Sequence, residues 1–507
     1  MADGVDRVAV IGPPGPAGDV PRGSGRTEVE PDATSAPVSG GLTGEAEPGG
    51  AAVSLGGGLT GEVEAAEASA PLPGGLSVGP RPLGRGVVVV VAVAVAAAVG
   101  WREPSGDVVS AAVTFWVSWS LCLAVLARGH PQGIYRPAAA YLVLFGVFHG
   151  GLLLSFAVRG DAASGDGQWL DDTLWLEDAY LPQAVALAVL GMAGYTLAAG
   201  LAGRGAPTAV ASRDGGSAGP LGVVVQMAGF GIFAFVLFRA GGTDLFSGGY
   251  NTFLEMNGSD TALAFGTLCC GTGGVLAVSA GGTARIAGWV GFGLYAVIAL
   301  PLGTRGDVFF PLVAMAVIEA RRRRIRPLWT SVGAVVVLLL TGAVRETRLG
   351  GLPELSLSWW LTAPLDAIAE MGFSLRPVVV VLGWDEPPRA GATLVAVPVR
   401  FLESFLGWHG GPPAYDDRLF NVEIANRAGQ IGGSPVAEAF HNFGTLGAVL
   451  FMAALGALLA RLEWRSDALL GVVLLPLLVQ VRNSFAPVPV QIGIGLLLLA
   501  ITRVWDR

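Results

Sequence analysis

Lysine is missing altogether: all 31 basic residues of this 507-residue chain are arginine. Charge of either sign is scarce, at 14% of residues, where a soluble globular domain carries about one-quarter. That shortfall excludes an ordinary soluble enzyme. Only three cysteines occur, Cys122, Cys269 and Cys270, each inside an apolar run. They offer neither a disulfide framework nor the spacing of a thiolate metal site. A net charge of −8 argues against a nucleic-acid partner. No apolar core sits near Met1, so a secretory leader is not expected.

What is abundant is apolar: 52% of residues, with a mean hydropathy of +0.60. The first 85 residues stand apart, rich in Gly, Pro, Ala, Ser and Glu, and they hold 11 acids against 5 arginines. Such a segment buries too little apolar area to offset its ordering entropy, and a disordered, dispensable tail is expected. GGLTGE recurs in it at 40–45 and 57–62 as low-complexity drift.

From Val87 onward, twelve apolar spans are read, at about 87–101, 108–127, 138–158, 180–202, 219–239, 261–281, 286–302, 307–320, 328–344, 443–461, 467–481 and 485–503. Several are shorter than the ~20 residues that cross a bilayer upright. In lipid, only helices or closed barrels satisfy the backbone. The fold class expected is therefore an all-α polytopic membrane protein of about 12 transmembrane helices. With the N-terminus inside, cytoplasmic ends and loops carry sixteen arginines and the short outer loops five. The positive-inside rule then puts both termini in the cytoplasm and the long segment 345–442 outside.

Candidate chemistry gathers on that outer side. The outer segment carries seven arginines, Arg376 and Arg400 among them, with Trp359, Trp360, Trp384, Trp408 and His409. Apolar stretches 377–384 and 391–406 are expected to lie along or dip into the interface. Arg305, Arg345, Arg348 and Arg482 all sit at outer helix ends, where guanidinium groups suit bidentate capture of phosphate. Any one of them could instead snorkel or pair with a local acid such as Asp307 or Glu346. Ser434 and Pro435 make a strong helix start. Glu438, His441 and Asn442 follow at i, i+3 and i+4 on one face. A carboxylate beside an imidazole there could activate a hydroxyl; the alternative is capping and packing, with Gly444 and Gly447 admitting a neighbouring helix. Residues 364–374 read as an amphipathic helix within the outer segment, broken by Arg376-Pro377, and Glu370, near its apolar side, is a second acid/base candidate or an interfacial accident.

At these residues the sequence resembles the O-antigen, or oligosaccharide repeat-unit, polymerase family (Wzy-type). The matching elements are Gly303-Thr304-Arg305-Gly306, Glu370-Met371-Gly372 and Gly391-Ala392-Thr393 before Pro398. The fullest match is 437–447, from Ala437-Glu438 through His441-Asn442 to Gly447, with Arg482-Asn483 after the next span. The resemblance covers about 100–505 and excludes the tail. It implies a C-type glycosyltransferase-like fold that joins undecaprenyl-diphosphate-linked repeat units at the outer face of the cell membrane, without metal or cofactor. In that scheme Glu438, His441 and Glu370 are the catalytic candidates, and Arg305, Arg345, Arg348 and Arg482 hold the lipid diphosphate. Asn442, Arg376 and Arg400 serve the acceptor. The implied partners are the lipid-linked oligosaccharide, membrane lipids, a flippase and a chain-length regulator.

Three alternatives stand beside it. A lipid-linked glycan ligase would share fold and donor. A metal-dependent relative would want acidic ligands in a large first outer loop, where only Glu103 and Asp107 occur. A transporter would show internal repeats and interrupted helices with intramembrane charges, and the sequence displays neither. The expected topology has a direct check: an impermeant thiol reagent on intact cells should reach a cysteine at Ser434 and miss one at Ser466. The reverse pattern refutes the orientation.

Overall fold

The computed structural model describes residues 84–505 except 103–105, 129, 131, 160–172, 204–216, 240–260, 303, 324, 350–356 and 409–415. The expected disordered tail and His409 lie outside the described residues. All described residues belong to one compact unit, Ser77–Arg507, and among them there is helix and no strand.

The chain runs α1 (Gly84–Arg102), α2 (Val108–Arg128), α3 (Pro137–Arg159), α4 (Leu181–Ala202), α5 (Ala218–Arg239), α6 (Thr261–Ala280), α7 (Gly282–Ala299) and α8 (Arg305–Arg322). It continues as α9 (Pro327–Leu349), α10 (Leu357–Met371), α11 (Arg376–Leu382), α12 (Ala392–Phe405), α13 (Phe420–Ala428), α14 (Pro435–Leu462), α15 (Asp467–Gln480) and α16 (Val488–Trp505). A helix therefore stands at each of the twelve positions read from hydropathy. Seven of these, α2 to α7 and α14, are both long and apolar enough to cross a membrane; α1, α9, α15 and α16 contain shorter apolar stretches. The Val87–Val91 run, β-prone in water, is helical within α1, as a lipid environment requires.

Helices α3, α4 and α6 are two-thirds buried over their apolar windows and form the centre. Tyr141 of α3 stacks on Tyr195 of α4 with ring centroids 5.4 Å apart. Around them, peripheral helices turn large apolar side chains outward, including Phe238 of α5 (82% exposed) and Val297 of α7 (72%). A continuous outward apolar surface of this kind is unfavourable in water and favourable against lipid. The described ion pairs sort into two sets at the helix ends. Arg136–Glu463 (2.6 Å), Arg321–Asp467 (2.8 Å) and Arg285–Glu319 (3.1 Å) join ends read as cytoplasmic, whereas Arg159–Asp366 (2.5 Å) and Arg305–Glu370 join ends read as outer. No described pair mixes the two sets, as antiparallel alternation of the spans would produce.

The segment read as a long outer loop is not a loop in structure. It folds as α10 to α13 and packs on the bundle. α10 is fastened to α3 at Gly372, where an added Cβ would stand 2.0 Å from the Leu152 nitrogen, and at Gly151, where it would meet the Ile368 carbonyl at 2.2 Å. Asp366 and Glu370, one turn apart on α10, receive Arg159 and Arg305. α11 dips inward, with Val378, Val379 and Val381 buried, while α12 leaves Val395, Phe401 and Leu402 exposed along one side.

The helix of the late span starts at Pro435, as the Ser434-Pro435 cap predicts, ahead of the apolar run read from 443. The labelling position is corrected. Ser434 is fully buried, so a thiol reagent would not reach it; exposed Gln430 is the proper outer position for the labelling test. Because the α3–α10 contact leaves no room for a methyl, Gly372→Ala should destabilise the protein by about 1–3 kcal/mol, read as a lowered midpoint of thermal unfolding in detergent.

Candidate functional site

α14 begins where the sequence says it should. Ser434 is extended (φ −154°, ψ 135°), its hydroxyl accepts from the Val436 and Ala437 N–H groups, and Pro435 follows in the first turn. The same hydroxyl lies 2.9 Å from His149 Nε2, and His149 Nδ1 lies 3.2 Å from the Phe145 carbonyl. A carbonyl can only accept, so Nδ1 is assigned the proton and Nε2 receives the Ser434 hydroxyl hydrogen. α3 thus fixes the start of α14.

Two turns later the helix breaks. Gly444 has φ 69° and ψ −168°, a conformation that favours glycine. This corrects the expectation of uninterrupted spans. It also corrects the role of the two glycines. A Cβ on Gly447 would sit 1.9 Å from Phe443 Cβ of the same helix, so Gly447 makes room for the break rather than for a neighbouring helix. Close approach of α14 to α4 occurs elsewhere, at Gly456, whose added Cβ would meet the Tyr195 carbonyl at 2.3 Å.

The short segment before the break holds the predicted face. Glu438 is 2% exposed. One of its oxygens accepts from the Phe485 N–H (2.6 Å) and the other from the Thr393 hydroxyl (3.3 Å). Asn442 Nδ2 donates to Thr393 Oγ1 (2.6 Å) and to the Glu438 carbonyl (2.8 Å), and its Oδ1 accepts from the Thr393 N–H (3.2 Å). Glu438 and Asn442 therefore act as one unit, clamping the start of α12 and the turn between α15 and α16. No ion pair to Glu438 occurs among the described residues.

His441 turns to a different partner. Its Nε2 lies 3.1 Å from Glu423 Oε2 of α13, with Trp384 edge-on at 5.2 Å. Glu423 also receives Arg389 (2.5 Å) and Arg427 (2.9 Å). Two guanidinium groups and one imidazole thus surround this buried carboxylate, which is compensated within the protein. Neither Glu423 nor Thr393 announces itself as functional in the sequence, since each gains meaning only from a partner far along the chain; Thr393 did fall inside a quoted motif.

Glu370 is paired with Arg305 at the start of α8 and belongs neither to the Glu438 cluster nor to the His441 cluster. Arg482, at the end of α15, is an electrostatic neighbour of Asp307 on the first turn of α8. Two of the four outer arginines are thereby brought to one helix end. α9 runs through Arg345 and Arg348 without interruption; their side chains lie outside the described ones. Arg376 opens α11 and is half-buried.

Arg400 faces a cavity of about 620 Å³ between α12, α13 and the α15–α16 turn. Its walls are mostly apolar, with Asn421, Gln430, Asn483 and Ser484 supplying polar groups. Arg400 itself is buried, its Nε 3.5 Å from Asp416. The turn 481–487 unites these parts. The Arg482 carbonyl accepts from the Gly433 N–H (2.9 Å), Asn483 and Ser484 line the cavity, and the next residue, Phe485, is held by Glu438. Among the described residues no group of three or more His, Cys, Asp or Glu side chains could hold a metal ion.

The outward apolar surface and the long apolar helices define an all-helical membrane protein. Its family resemblance is borne out over 290–506, which match the family model of the O-antigen polysaccharide polymerase Wzy. That stretch runs from within α7 to the end of α16 and contains every candidate site residue named above. No curated protein and no solved structure matches the chain.

The rim of the cavity offers a pH test. The Arg418 hydrogen bonds, opposed in part by burial, hold the Asp416 carboxyl below its usual value of 3.8. A depressed carboxylate contributes stability above its unfolded pKa and loses it as pH falls through the depressed one. The Asp416 titration, followed by side-chain carboxyl NMR, should therefore lie below pH 3.8 and move up toward it in Arg418→Gln.

Proposed function

We propose that the chain polymerises undecaprenyl-diphosphate-linked oligosaccharide repeat units at the outer face of the cell membrane, with both termini in the cytoplasm. The observation that carries this reading is the Glu438-held turn. Within the family-matched stretch it joins a sugar-sized cavity on one side to the Arg482–Asp307 end of α8 on the other.

The reaction asks for three things. A diphosphate leaving group needs cations and hydrogen-bond donors aimed at its growing charge. Arg305 and Arg482, beside the first turn of α8, are suited to that, with Arg345 and Arg348 as further members of the cradle. Glu370 keeps the Arg305 guanidinium compensated until an anionic substrate replaces it, and Asp307 lies in the field of Arg482. An acceptor sugar needs a polar-edged apolar pocket, which the cavity beside Arg400 supplies, with Asn442 and Arg376 supporting the acceptor side. Its hydroxyl needs a base. Glu438 has hydrogen-bond donors but no cation partner among the described residues, and it holds Phe485, the residue between the cavity-lining Ser484 and Ala486. Glu438 is taken as the base because no described cation pairs with it, and the His441–Glu423 pair is the neighbouring alternative. In the attack, the acceptor hydroxyl oxygen bonds the anomeric carbon, the hydroxyl proton passes to the carboxylate, and the lipid diphosphate departs with the bonding electron pair. Transfer to a different acceptor would make the same site a ligase.

The test is Glu438→Gln. Glutamine keeps an oxygen for the Phe485 N–H and a donor for Thr393, so the turn stays in place while the proton acceptor is lost. Polymer formation should fall by roughly 10²–10⁴-fold at unchanged protein level. Full polymer from this variant would reduce Glu438 to a holder of the turn and refute its role as base.

A further inference from the structure

The cavity of about 620 Å³ between α12, α13 and the α15–α16 turn falls within the ~300–1,000 Å³ of ordinary small-ligand sites. Among its described lining residues Arg400 alone is charged; the others are apolar or neutral, with Asn421, Gln430 and Asn483 as hydrogen-bonding groups. Neutral sugar hydroxyls are served by such amides, which both donate and accept. A guanidinium only donates, and it brings a fixed charge to a wall that is otherwise uncharged. Arg400 is 4% exposed, so this charge has been taken almost wholly out of bulk water.

The fold holds that charge in place. Thr393, Val397 and Arg400 are all buried and stand at i, i+4 and i+7, so they share one face of α12. Thr393 is clasped by Glu438 and Asn442, and Arg400 follows it by roughly 10 Å along the helix. The acids beside Arg400 are drawn toward another cation. Asp416 gives Oδ1 to the Arg418 N–H and Nε and Oδ2 to its Nη2, while Glu403 gives both oxygens to the same guanidinium. Asp416 meets Arg400 at Nε, 3.5 Å away, a charge contact longer than a normal hydrogen bond. A cation of planar, forked geometry therefore borders the cavity at a fixed distance from the Glu438 cluster.

We infer that the cavity selects a carboxylate-bearing sugar, of the hexuronic acid class, and that Arg400 is the residue that reads its carboxylate. That this sugar belongs to the acceptor repeat unit rests on the polymerase reading. A carboxylate matches the guanidinium fork with two parallel hydrogen bonds, and its single negative charge balances the single cation. A phosphate of charge near −2 would leave an excess charge buried, which is costly, and a diphosphate more so. Arg400 lies two helical turns from Thr393, so the group it reads is set apart from the reacting hydroxyl. Arg400 thus sets specificity and orientation, while Glu438 keeps the chemistry.

The test reads binding rather than catalysis, by ligand-observed NMR on the full chain in lipid nanodiscs. The probes are methyl glucuronide, its neutral amide and methyl glucoside 6-phosphate. The acid should bind about tenfold tighter than the amide, a difference of ~1.4 kcal/mol, and tighter than the phosphate. Because acid and amide are compared on the unaltered chain, that result stands even where a variant fails to fold. Arg400→Gln should abolish the preference for the acid, and Arg400→Lys, which keeps the charge but loses the fork, should retain part of it. Equal affinity for acid and amide, a preference that survives Arg400→Gln, or phosphate binding as tight as that of the acid overturns the inference. Polymer formation from lipid-linked repeat units is scored separately. A preference for the acid without polymer refutes the polymerase reading and leaves the carboxylate site standing, while polymer with equal affinity for acid and amide refutes the carboxylate site alone.

Discussion

The Glu438 carboxylate carries the architecture of the outer end. It is buried, and each of its oxygens is committed, one to the Phe485 N–H and one to Thr393. Segments some 45 residues away on either side are thereby held to the first turns of α14. A buried backbone N–H without a partner is costly, and so is a buried carboxylate without donors; each answers the other's need. The Phe485 turn and the start of α12 are both held by this bond and its Asn442 companion.

Around that centre the outer residues divide their labour through charge. Glu423 collects His441, Arg389 and Arg427, and Arg418 bridges Asp416 and Glu403. These networks are compensated within the protein and give α12 and α13 their fixed relation. Glu438 is bonded yet paired with no described cation, and the proposed mechanism rests on this difference. The pair Arg305–Glu370 stands between the two cases, since an anionic ligand could displace the carboxylate from its guanidinium.

Glycine has a double role that composition alone hides. At Gly151, Gly372 and Gly456 it lets backbones meet, which is how helices associate where no hydrophobic force acts between them in lipid. At Gly444 it lets the backbone adopt a positive φ, and α14 breaks there. A high glycine content thus serves tight packing in one place and departure from helix in another.

The sequence by itself determined the helical class, the position of every long apolar helix, the start of α14 at Ser434-Pro435 and the family pattern over its C-terminal part. These are legible because lipid demands apolar length, because a helix cap needs specific local groups, and because both are written in consecutive residues. It also put Glu438 and Asn442 on one face, since helical spacing is local. Only the tertiary structure decided that these two clasp Thr393 and Phe485 while His441 turns to Glu423. The amphipathic helix at 364–374 was legible, as α10 bears out, whereas the packing of α10 on α3 and the break at Gly444 were settled there. The physical reason is common to all of these: a side chain's hydrogen-bond partner and a glycine's φ are fixed by atoms that packing brings from elsewhere in the chain, and hydropathy and spacing carry no record of them.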